Sequence, residues 1–147
     1  MYELALLAHV LGATVWTGGH LVLALAILPK VLRSRDLEFL RRFESAYERV
    51  GIPALIVQIA SGLYLAAHYL PDLAALGNRA NPAANLLLIK LGLLLATAAL
   101  AADARLRIIP RLGNHNLTAL AWHVYPVTLI AVLFVLTGVG FRLGWLA

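Results

Sequence analysis

Residues 4–29 read LALLAHVLGATVWTGGHLVLALAILP, and no Asp, Glu, Lys or Arg occurs between Glu3 and Lys30. An α-helix rises about 1.5 Å per residue, so roughly 20 apolar residues cross the ~30 Å hydrocarbon core of a bilayer. This stretch is long enough to cross, and Pro29 is expected to close it. It is too long for the apolar segment of a secretion signal, no basic residue precedes it, and it has no small-residue cleavage site. It therefore reads as a helix of the mature protein.

Three further stretches of the same kind follow. Residues 50–71 form a second, containing Gln58, Ser61 and His68. Asn81-Pro82 opens a third over residues 83–105, which contains Lys90. A fourth runs over residues 119–141, with His123 near its start and Arg142 after its end. Hydrophobic residues make up 62% of the 147-residue chain and charged residues 13%, about half the share usual in a soluble domain. Mean hydropathy is +0.85. Alternation with period two is absent, which argues against a membrane β-barrel. The expectation is one all-α domain, residues 1–147, folded as an integral membrane four-helix up-and-down bundle.

Basic residues set the orientation. Lys30, Arg33, Arg35, Arg41, Arg42 and Arg49 fall in the first loop and Arg105, Arg107 and Arg111 in the third, whereas the second loop holds Arg79 alone. By the positive-inside rule, loops one and three are cytoplasmic and both termini face outward. Leu37, Leu40, Phe43 and Tyr47 recur at helical spacing in loop one, predicting a short amphipathic helix along the cytoplasmic membrane surface. Asp36, Glu38, Glu44 and Glu48 partly balance its basic residues, so a net charge of +5 does not indicate nucleic acid.

Polar side chains inside a membrane cost free energy and mark functional positions. His9 and His20 are eleven residues apart on the first helix, which returns them to nearly the same face, together with Gly12 and Trp16. With the span centred near Trp16, His9 lies about 11 Å outward and His20 about 5 Å inward. Depth along the other spans matches His68 to His9 and His123 to His20, giving an outer and an inner pair. Lys90 falls in the outer half of the third helix. Imidazole is the commonest transition-metal ligand and an axial ligand of haem iron, and bundle cores are frequent sites for both. His9, His20, His68 and His123 are therefore the candidate metal ligands, with Lys90 a charged partner of a bound cofactor. Solvation or snorkelling accounts equally well for His68, His123 and Lys90, while His115 reads as a solvated loop residue.

Several motifs carry a family resemblance. His9 to Gly19 runs His-x6-Trp-x-Gly-Gly, Ser61-Gly62-Leu63-Tyr64 ends the pattern of a second helix, and Ile89-Lys90-Leu91 contains a Lys-Leu. In these the chain resembles the superfamily that joins copper-resistance protein D (CopD) domains with the HemJ proteins of haem synthesis. The likeness extends over nearly the whole chain and implies a four-helix membrane fold. HemJ similarity implies b-type haem on His9 and a functional Lys90. In departure from that pattern, the first helix is longer before Leu28-Pro29, His20 is additional, and His123-Val124 stands where HemJ proteins carry Asn-Glu.

The leading expectation is a membrane protein that binds one or two haem b groups and transfers electrons, acting as an oxidoreductase if it is an enzyme. Copper binding or transport is the alternative, and a structural subunit with packed histidines the second. Cu(I) favours thiolate and thioether ligands, and the chain has no Cys and a single methionine, Met1. No catalytic nucleophile–base pair or phosphate loop is present, so any chemistry would belong to a cofactor. Expected partners are membrane lipid, a quinone or periplasmic redox protein, and a further copy of the chain, in a bacterial inner membrane.

Overall fold

The computed structural model describes residues 1–70, 72–78 and 80–144. Pro71, which ends the predicted second span, and Arg79, the single basic residue of loop two, lie outside the described residues. Four helical rods make up the structure. The first joins α1 (Tyr2–Val22), a π-helical turn (Leu23–Ile27) and α2 (Leu28–Ser34). The second is α3 (Leu37–Tyr69). A 3-10 turn (Leu73–Gly77) leads to α4 (Pro82–Asp103), which continues through a π turn (Ala104–Ile108) and a 3-10 turn (Ile109–Arg111). The fourth rod is α5 (Leu117–Leu143). No strand occurs among the described residues. All four rods are long and apolar enough to cross a membrane, and the protein is an integral membrane protein of four helices.

Pro29 does not close the first rod. A proline removes one backbone donor and crowds the carbonyl four residues earlier. Here the widened turn at Leu23–Ile27 takes up that strain, the Leu28 N–H bonding back to Leu23 O. The same device precedes Pro110, where the Ile109 N–H bonds to Ala104 O. The first rod ends only at Arg35, whose left-handed φ of 58° turns the corner. Asp36 then caps α3, its carboxylate accepting from Phe39 N at 3.0 Å.

The predicted surface helix of loop one is not a separate element. Residues 37–49 are the first turns of α3, which runs unbroken for 33 residues through Pro53. Their apolar stripe packs on protein, Leu40 buried and Leu37, Phe43 and Tyr47 half-buried: Leu40 packs with Leu28, Val31, Leu117 and Leu120 in a core at the basic end of the bundle. A stripe that finds such a core does not need lipid.

The rods run antiparallel. Tyr2 meets Tyr69 and Trp16 meets Tyr47 across α1 and α3, Thr17 meets Ala131 and His20 meets Thr128 across α1 and α5, and Asp103 meets His123 across α4 and α5. In order of packing, α3 lies on α1, α1 on α5, and α5 on α4. No comparable interface joins α3 to α4; at the basic end the Glu48–Arg105 ion pair spans that side. Small residues allow the closest approach, between α1 and α3. A Cβ on Gly12 would lie 3.0 Å from Ala54 O, and one on Gly19 would fall 2.0 Å from Tyr47 Cε2.

Candidate functional site

His9 sits on the α1–α3 interface. Its Nδ1 lies 3.0 Å from Gln58 O and 3.1 Å from Ser61 Oγ. A carbonyl oxygen only accepts, so Nδ1 carries the proton and Nε2 holds the free lone pair. Ser61 is buried, and its hydroxyl is committed to Val57 O at 2.6 Å. Gly62 provides the space for the ring: a Cβ there would lie 3.0 Å from His9 Cε1. A hydrogen bond from Nδ1 to a carbonyl is the usual way that a metal-binding histidine is oriented.

Lys90 converges on the same depth from α4. Its Nζ lies 3.6 Å from where a Cβ on Gly138 of α5 would be. Thr17 pairs with Ala131 across α1 and α5, so two turns further from the basic end on each helix bring Val10 level with Gly138. Val10 adjoins His9 in the chain. Gln58 is in this layer too, its Cβ against Gly12, and its Oε1 is buried without a hydrogen-bond partner among the described residues. His9, Gln58 and Lys90 thus come from three different helices to one level, with Gly138 of the fourth beside them. Gln58 was visible in the sequence as an intramembrane amide but its role was not; only the helix register shows that it shares the level of His9.

The expected histidine pairs do not form. His68 is exposed and its ring lies tilted against that of Tyr2, with centroids 4.9 Å apart. Tyr2 is seven residues from His9, so the two histidines differ in depth by about 10 Å. The sequence estimate placed the centre of the second span too far along α3, because the 33-residue helix hides where the span begins. His20 faces the α1–α3 side, its Nδ1 2.9 Å from Trp16 O and its ring 4.4 Å from Trp16 and 6.0 Å from Tyr47. His123 faces α4 instead, with Nδ1 2.8 Å from Ala119 O and Nε2 2.8 Å from Asp103 Oδ2. The two lie on opposite sides of the bundle. Asp103 also accepts from Arg107 at 3.1 Å, so neither nitrogen of His123 points at open space.

Two ligand classes can be tested against this geometry. Haem held by two imidazoles requires a facing pair, and no two of these histidines face each other. The described residues also contain no group of three His, Cys, Asp or Glu fit to enclose a metal. A tightly held resident metal does not suit such donors. Single imidazoles with one free nitrogen, as at His9 and His20, suit an ion that is passed along.

The fold and its interior define a class: a four-helix integral membrane protein with isolated imidazole sites in its interior. A sequence-family model described as copper resistance protein D matches residues 37–141, and the chain belongs to that family. The match begins at the first residue of α3 and takes in α4 and nearly all of α5. No curated protein and no solved structure matches the chain.

Proposed function

We propose that this protein handles copper within the membrane, with copper as cargo and His9 as its principal intramembrane contact. The carrying observation is the orientation of His9, whose Nδ1 bonds to Gln58 O and leaves Nε2 for a metal. Membership of the copper resistance protein D family supplies the metal. His20 repeats the arrangement nearer the basic end, its Nδ1 tied to Trp16 O, and offers a second stop. We place the basic end in the cytoplasm on the distribution of Lys and Arg. His68, on the exposed surface, is the outermost imidazole, and His123 becomes a ligand only if Asp103 releases it.

Imidazole binds copper less tightly than thiolate does, and this chain has no Cys. Weak single contacts allow release as well as capture. Haem and its electron partners receive no support from the arrangement of the histidines. The test is Cu(I) affinity of purified protein, measured by competition with a chelator, in wild type and His9→Ala. At least a tenfold loss of affinity is expected in the variant, because no Cys or Met in that layer can substitute. Unchanged affinity would remove His9 from the reading. A Soret band in the purified protein would restore haem.

A further inference from the structure

The cation of Lys90 is unanswered. It lies in the interior layer of His9 and Gln58, and no carboxylate pairs with it among the described residues. A charge withdrawn from water is costly unless it is paired. It is also the wrong sign for the proposed cargo. Like charges repel more strongly in a low-dielectric interior than in water, so an unanswered Lys90 weakens copper binding in this layer. Resting on copper as the cargo, we propose that this layer also takes a small monovalent anion, of the halide class, held by Lys90 and delivered to copper at His9.

Two features suit an anion here. Gly138 has no side chain, which leaves open the space beside the ammonium. Gln58 places a buried amide with no committed partner at the same level, and a half-turn of that amide presents NH2 donors. Charge also balances. Copper(I) and a halide enter as a neutral pair, so the net charge of the layer stays that of Lys90 alone. A halide further supplies the soft second ligand that a chain without cysteine cannot offer.

Two measurements test this separately from the copper reading. The first uses no copper: chloride NMR line broadening by purified protein in a non-ionic detergent. Wild type and Lys90→Arg should show saturable excess broadening that Lys90→Met lacks. Equal broadening in wild type and Lys90→Met overturns the anion site. The second compares Cu(I) affinity in chloride and in gluconate. Wild type should gain about tenfold or more from chloride relative to Lys90→Met, a ratio that cancels the complexation of copper by free halide. Binding that depends on His9 but responds to halide equally in both proteins overturns the proposal and leaves copper as cargo intact. Broadening that depends on Lys90 with no copper bound in either salt overturns the delivery to copper and the copper reading together.

Discussion

Replacing Gly19 by alanine should break the contact that sets α1 against α3 at the basic half of the bundle. The added Cβ would fall 2.0 Å from Tyr47 Cε2, 2.2 Å from Cζ and 2.5 Å from the hydroxyl oxygen. Restoring an ordinary contact near 3.5 Å requires the ring to move by about 1.5 Å. The ring has little freedom to do so. Gly51 lies behind it, where a Cβ would be 3.0 Å from Cζ, and Phe43 stacks on it at 5.9 Å. Movement also breaks the bonds that the Tyr47 hydroxyl donates to Trp16 O at 3.1 Å and Val15 O at 3.4 Å. Overpacking costs about 1–3 kcal/mol and a lost hydrogen bond about 0.5–1.5 kcal/mol, against a gain of up to about 1 kcal/mol for alanine in a helix. The net loss expected is about 2 kcal/mol. Gly18 is the internal control, since nothing lies within 4 Å of its would-be Cβ. Unfolding of both variants in mixed micelles, followed by loss of helical circular dichroism, should show Gly18→Ala neutral or stabilised and Gly19→Ala destabilised. In a Tyr47→Ala background the Gly19→Ala penalty should vanish. A difference below about 0.5 kcal/mol between the two glycine variants would refute the slot that Gly19 provides for Tyr47.

Leu28 is fully buried at the basic end, so Leu28→Ala should cost about 2–5 kcal/mol in the same unfolding assay. Leu25 is 72% exposed on the same rod, and Leu25→Ala should cost below about 0.5 kcal/mol; similar losses at both positions would contradict the packing described. Reporter fusions at either terminus should respond as non-cytoplasmic, and a cytoplasmic signal from either would invert the assignment of the basic end.

Most of the fold was legible because charge punctuates the chain so sharply. Lys30, Val50, Asn81 and Ala119 all lie at or near transitions that hydropathy alone locates. The rod ends were harder. Pro29 carries the signature of a helix stop, and a single sequence does not show that a five-residue π turn just before it can absorb it. The amphipathic stripe at Leu37–Tyr47 was recognised, but whether such a stripe meets lipid or protein depends on what folds back onto it. At the site, the structure puts His9 and Lys90 at one level, whereas the pairing of His68 with His9 failed by two turns of helix. Depth counted from a span's ends inherits every error in those ends. The face of a helix is safer to infer, since it follows from residue spacing alone, yet it does not say which neighbour fills that face. His20 and His123 needed that missing information.

Because α3 is a single helix of 33 residues, it is about 50 Å long against a hydrocarbon core of about 30 Å. Its contact with Gly12 at Ala54, next to Pro53, divides it into unequal arms. From Ala54 to Leu37 is about 25 Å of rod, and from Ala54 to Tyr69 about 22 Å. The shorter arm carries Gln58 and Ser61, which hold His9. One continuous rod therefore joins Arg41, Arg42 and Arg49 near its basic tip to the grip on His9 beyond its middle.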